Sequence, residues 1–203
     1  MQVTQQRYYT PEEYLQLEAT ADYKSEYIDG YIIPMAGGTV NHNQIALNLS
    51  TELNFAFKKQ NYRVYMGDVR LWIAQKRSYT YPDVIILADE PEYFNNRTDI
   101  IVNPQVIVEV LSQSTKAYDR EAKFQAYRTI PSFQEYLLID QTRIHVEQFS
   151  KTGKKQWTLR EYDEEDEAIA LVTVPFTISL SDLYNKVNFE LVESEVQELN
   201  VEE

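Results

Sequence analysis

Between Asn41 and Gln60, His42, Ile45, Ala46, Leu49, Leu53, Ala56 and Phe57 recur at three- and four-residue steps. That period puts them on one face and predicts an amphipathic helix. A second helix is expected from Asp119, a good N-cap, through "DREAKFQAYRTI" until Pro131-Ser132 ends it. A short one should follow Thr10, where Pro11 and Glu13 complete a capping-box signature, and run to about Glu18. Another is expected near Ser179 to Tyr184. Between the helices the pattern changes to runs rich in Val, Ile and Tyr. "YRVYMGDVRLWIA", "YTYPDVIILAD", "PQVIVEVLS" and "FQEYLLIDQ" each read as a strand.

Two hairpins are expected as well. "KSEYIDGYIIPM" should turn at Asp29-Gly30, and "IHVEQFSKTGKKQWTLREY" at Thr152-Gly153. A short strand lies in the remainder. "DEPEYFNNRTDIIVN" is a long connection between two strands, a length that points to function. There is no internal repeat and no linker. The pattern therefore predicts one α/β domain of the α+β kind over residues 1–188, with a mixed sheet, and an acidic tail over 189–203.

Composition narrows this picture. Apolar residues make up 43% of the 203, enough for a full core, and sixteen tyrosines suit half-buried positions with a polar tip. No stretch of eighteen apolar residues occurs, so no membrane span is expected. The start, "MQVTQQRYYTPEEYL", lacks the charge-then-apolar order of a secretory signal. Absence of cysteine excludes disulfides and thiolate metal sites, and a cytoplasmic location is the simplest expectation.

The net charge of −13 is hostile to a nucleic-acid partner at first sight. Yet "EYDEEDE" carries six acids, and Glu190 to Glu203 six more, with no base in either. The rest of the chain holds 20 acids against 19 bases, nearly balanced. Solvated acidic segments explain most of the excess.

Several chemistries can be set aside. The chain has no P-loop, no dinucleotide glycine pattern and no HExxH. Two histidines, His42 and His145, cannot build a multi-imidazole zinc site within one chain. No G-x-S-x-G elbow marks a serine nucleophile. What stands out is carboxylates in strands. Asp83 follows Pro82 and opens "DVIILAD", where it either caps the strand or meets a ligand at its end. Glu109 interrupts "VIVEVL", with Ile107 and Leu111 on its own face and Val108 and Val110 on the other. A buried glutamate needs a cation or strong donors, either a helix Arg or Lys or a metal. Two acids on neighbouring strands can share Mg²⁺, which takes oxygen ligands, and such a site suits phosphodiester hydrolysis.

"YPDVIIL" followed by "NPQVIVEVLSQSTKAYDREAKFQAYRTIPSFQEYLLID" strongly resembles the Uma2 family of restriction endonuclease-like proteins. The looser match extends upstream through "EYIDGYIIPMAGGTVNHNQIALNLSTEL", covering roughly residues 7–185. The family is placed in the PD-(D/E)XK nuclease superfamily, so the resemblance implies an αβββαβ core and a mixed central sheet flanked by helices. It implies a Mg²⁺ (or Mn²⁺) dependent endonuclease acting on DNA, with Asp83 and Glu109 as metal-binding acids and Val110 among the metal-holding positions. A homodimer is expected, since cutting both strands of a duplex suits two-fold symmetry.

One departure matters. The superfamily's lysine usually follows the second acid by two residues, and that position here is Leu111. In some branches of the superfamily the lysine has moved to the next helix. Lys123 is then the expected substitute, on one stripe with Arg120 and Tyr127. Lys116 is a second candidate and Gln125 a weaker one. Glu26, matching an acidic position before the Asp-Gly turn, is an auxiliary acid. His42, at a helix start, is more often structural than catalytic. The missing strand lysine and the acidic balance also support another expectation, a catalytically inactive nuclease-like interaction or regulatory module.

Overall fold

A computed structural model describes residues 7–190, so most of the expected tail, residues 191–203, lies outside the described residues. The first helix, α1 (Pro11–Glu18), carries the capping box in full. Thr10 Oγ1 accepts from Glu13 N at 3.1 Å, and Thr10 N donates to Glu13 Oε2 at 2.8 Å. The hairpin β1 (Ser25–Ile28) and β2 (Tyr31–Pro34) turns at Asp29 and Gly30, as expected. Both turn residues have positive φ, 39° and 102°. A Cβ at Gly30 would lie 2.1 Å from the Tyr8 ring. The ring can swing away, whereas the backbone conformation cannot relax without losing the turn. Gly30→Ala is expected to destabilise the protein by about 1–3 kcal/mol in chemical denaturation; an unchanged midpoint would show that the turn is not constrained.

The second helix, α2 (Val40–Ala56), is capped by Thr39 and buries Ile45, Ala46, Leu49 and Leu53, with Phe57 buried at its C-cap. It ends four residues before the expected Gln60. The two stretches read as single strands are each divided between two sheets. "YRVYMGDVRLWIA" becomes β3 (Arg63–Met66) and β4 (Arg70–Ile73), broken at Gly67, whose φ is 67°. "YTYPDVIILAD" becomes β5 (Ser78–Thr80) and β6 (Val84–Leu87), broken at Tyr81-Pro82-Asp83. The two breaks are tied together where Gly67 N donates to the Asp83 carbonyl at 3.3 Å. Asp83 thus stands at the junction between sheets.

The long connection holds β7 (Ile100–Ile101), paired parallel with β4. Then come β8 (Val106–Leu111), a helical segment, β9 (Glu135–Asp140), β10 (Val146–Gly153), β11 (Gln156–Tyr162), β12 (Ala168–Ala170), β13 (Thr177–Ser179) and α5 (Leu180–Leu183). The hairpin between β10 and β11 turns at Lys154-Lys155, two residues beyond the expected Thr152-Gly153, because a register shift after Lys151 absorbs Gly153 into the strand. The expected short C-terminal strand is a pair, β12 and β13. Ser179 caps α5 as a side-chain acceptor from Asp182 N.

The helical segment differs most from expectation. It begins at Lys116 as α3 (Lys116–Tyr118), passes through a π-helical turn (Asp119–Lys123) and ends as α4 (Phe124–Tyr127). Asp119 lies inside it and is buried rather than capping it. A π turn inserts an extra residue into the repeat and is common at functional sites.

Six strands form the larger sheet in the order β11-β10-β9-β8-β6-β3, and five the smaller, β2-β1-β5-β4-β7. Within the larger sheet β3, β6 and β8 are antiparallel neighbours, and β8 pairs parallel with β9 across the helical segment. With α2 ahead of β3 this is the αβββαβ order in a mixed α+β fold. Strand β8 is buried on both faces. Val106, Val108 and Val110 join the core under α2, while Ile107 and Leu111 join the core of Phe124, Tyr127, Phe133 and Tyr136. Glu109 points into that second core. Among the described residues no helix is long and apolar enough to cross a membrane.

Candidate active site

Glu109 is 3% exposed, on the β8 face that meets the helical segment. Its Oε1 lies 3.2 Å from Lys123 Nζ and accepts from the Tyr127 hydroxyl at 2.7 Å. Tyr127 is one helical turn beyond Lys123, so both reach the same carboxylate from one stripe. Arg120, the third member of that stripe, pairs instead with Glu147, Nε to Oε1 at 2.8 Å. Leu111 is buried among apolar side chains, and Lys123 brings its charge to the strand from the helix. Lys116 and Gln125 are exposed and make no ion pair or hydrogen bond to this cluster among the described residues.

Lys123 is surrounded by acids. Its Nζ lies 3.0 Å from Asp119 Oδ1 and 3.4 Å from Glu26 Oε1, besides the contact to Glu109. Glu26 reaches it from β1, in the other sheet. Both Glu26 Oε1 and Asp119 Oδ1 stand within ion-pair range of the ammonium yet make no hydrogen bond. The ring of Tyr118 lies 5.5 Å from Nζ. Burial alone would lower the Lys123 pKa, but Glu109, Glu26 and Asp119 outweigh it and hold the amine well above its usual value. Burial drives the Glu109 carboxyl well above the usual carboxylate range; Lys123 opposes this, and Asp83 and Asp119 add to it. Burial, then the charge of Glu109, likewise keeps the Tyr127 hydroxyl protonated.

Asp83 completes the group from the sheet junction. Its Oδ2 accepts from Val110 N at 2.7 Å and lies 3.2 Å from His42 Nε2. The Val110 N–H therefore leaves β8 toward Asp83, beyond the last β6 pairing at Val108. In strand geometry the C=O of a residue leaves by the same edge as its N–H. Burial pulls the His42 pKa down, but hydrogen bonding and charge from Asp83, with Asp119 further off, raise it overall.

The structure thus brings Glu109, Lys123 and Glu26 into direct contact, and places Asp83 beside Val110. Sequence reasoning missed Asp119 as a member of the cluster, although its i,i+4 spacing to Lys123 was a usable signal. No group of three or more His, Asp or Glu side chains is arranged to hold a metal among the described residues. A Mg²⁺ site does not require one, since one or two carboxylates with water and substrate oxygens suffice. Asp83 Oδ1 and Glu109 Oε2 make no hydrogen bond among the described residues, while their partner oxygens do. Three carboxylates around one ammonium leave an excess of negative charge. The carboxylate donors are hard oxygens, which suits a divalent cation.

The fold is of the restriction endonuclease-like class. A crystal structure described as a "putative nuclease belonging to DUF820" from Anabaena variabilis superposes with a TM-score of 0.70. It covers 89% of this chain and 99% of its own, at 22% identity, a likeness of fold. The model of the Uma2 family, described as "Putative restriction endonuclease", matches residues 11–182, and the chain belongs to that family. Two uncharacterised Synechocystis proteins are similar as well. The chain is 48% identical to sll1609 over 75% of its length and 86% of the relative's. It is 33% identical to slr1290 over 89% and 93%.

Proposed function

We propose that this protein is a Mg²⁺- or Mn²⁺-dependent endonuclease hydrolysing phosphodiester bonds in DNA. The observation that carries the reading is the charge imbalance. Asp83 and Glu109 each have an unengaged oxygen, in a cluster where Glu26 and Asp119 also crowd the single ammonium of Lys123. Asp83 and Glu109 would hold the cation, with the Val110 carbonyl on the same edge. The cation, when bound, supplies polarisation of the phosphodiester and a lower pKa for an attacking water.

The protein's own groups do the rest. Tyr127 fixes one oxygen of Glu109 through its hydroxyl, and Val110 N–H fixes one oxygen of Asp83. Lys123 presents a positive charge beside Glu109, where the transferred phosphate would develop negative charge. Glu26 acts on Lys123, holding its ammonium in place and charged. DNA as substrate is supported by the description of the family, and a homodimer by the two-fold symmetry of a duplex.

The test is direct. Purified protein with Mg²⁺ or Mn²⁺ is expected to nick or linearise plasmid DNA, with no cleavage in EDTA. Intact plasmid, linear and single-stranded DNA across a wide salt range would sink the reading. One observation favours a second one, an inactive nuclease-like module: the Lys123 ammonium is already engaged by three carboxylates. Calorimetric titration separates the two, because an inert module should bind no Mn²⁺ in an Asp83-dependent manner.

A further inference from the structure

His42 lies on a closed circuit of contacts around Asp83. Its backbone N donates to Thr39 Oγ1 at 3.1 Å, the cap of α2. The Thr39 hydroxyl donates onward to Gln141 Oε1. Gln141 is buried, and its Nε2 donates to the Leu111 carbonyl at 2.8 Å. Leu111 follows Val110, whose N–H holds Asp83 Oδ2 at 2.7 Å. The same Oδ2 lies 3.2 Å from His42 Nε2, which closes the circuit.

The ring of His42 is seated as well as tethered. A Cβ at Gly38 would lie 3.1 Å from His42 Nδ1 and 3.4 Å from Cγ, so the residue at 38 leaves room for the imidazole. The Asp83 side chain is 20% exposed and comes from a chain segment between two sheets rather than from inside a strand. The Val110 N–H bond to Oδ2, with His42 Nε2 within ion-pair range of the same oxygen, fixes the rotamer and leaves Oδ1 as the oxygen available to a ligand. The imidazole can donate from Nε2 whether neutral or charged. Its role here does not depend on a change of protonation.

We infer that His42 is a positioning residue that, with the Thr39–Gln141–Leu111 chain, orients Asp83 for binding a divalent cation. This rests on the metal-dependent reading above. It also gives Leu111 a part in the site through its carbonyl, where its side chain has none. Outer contacts of this kind typically govern metal affinity by 10–100-fold, on the order of what is expected here.

The experiment is Mn²⁺ titration of the full chain by calorimetry, without DNA. His42→Ala should weaken binding by roughly 10–100-fold. His42→Gln, whose amide can place a donor near the Nε2 position, should recover most of it. Gly38→Ala, which crowds the ring without removing it, should weaken binding by a smaller factor. Melting temperatures measured alongside report folding, and the rescue by Gln is a readout a merely structural role would not give. Unchanged affinity in His42→Ala, or Gln no better than Ala, overturns the inference while leaving the metal site standing. Wild-type protein that binds no Mn²⁺ overturns both readings at once. Binding that survives Asp83→Ala overturns the assignment of the ligand and with it the role of His42.

Discussion

Lys123→Met is expected to lower stability by about 3–5 kcal/mol, measured by urea denaturation at neutral pH. Methionine fills nearly the same volume, so the loss is electrostatic. Glu109, Glu26 and Asp119 are all buried, and each lies within 3.4 Å of the Lys123 amine. Removing the cation leaves them desolvated and mutually repelling, and only Tyr127 still donates to Glu109. The loss should depend on pH. Burial already holds the Glu109 pKa well above its ordinary 4.5, and Lys123 is the first influence opposing that rise. A carboxyl raised in the folded state contributes stability below its unfolded pKa and loses it as pH climbs through the folded one. Without Lys123 the raise grows. The variant should therefore approach wild type near pH 4–5 (roughly, from the ordinary carboxylate range) and fall behind as pH rises. In wild type the Lys123 contribution has the same sense in a higher window: it persists through neutral pH and is lost only as pH climbs above the ordinary lysine value of 10.5. Equal stability of the two proteins at pH 7 would mean that the cluster is already neutralised by protons.

The acids were legible because each breaks an apolar pattern. Glu109 stands in a run whose neighbours are all buried, and such a charge has few structural explanations. Lys123 was legible from helical spacing once Leu111 ruled out the strand position. The division of two strand-like stretches between sheets was not. Val, Ile and Tyr continue on both sides of Gly67 and of Pro82, so the local pattern does not show that the chain changes sheets there. Only the positive φ of Gly67 and its bond to the Asp83 carbonyl reveal it. Asp119 was misread for a similar reason. An aspartate ahead of a helical run has strong capping propensity, but a lysine four residues on, in a pocket of acids, wins its side chain. His42 depends on contacts 41 residues apart in sequence and could not be read locally.

Glu109→Gln should move activity and stability in opposite directions. The amide is isosteric, retains an oxygen for the Tyr127 hydroxyl, and removes one of three carboxylates competing for Lys123. Stability should be unchanged or raised by up to about 1 kcal/mol, since an excess buried charge is gone while Glu26 and Asp119 still compensate Lys123. Nuclease activity should fall by at least ~10³-fold, because a bound cation contributes several kcal/mol of charge stabilisation and each 1.4 kcal/mol is tenfold. The same variant should lose Mn²⁺ binding by calorimetry. A protein that is as stable, as active and as able to bind metal as wild type would show that Glu109 only anchors Lys123. Loss of both stability and activity would instead mark the carboxylate as a structural partner of the helix, and the position of Lys123 would then be the purpose of the cluster rather than part of its chemistry.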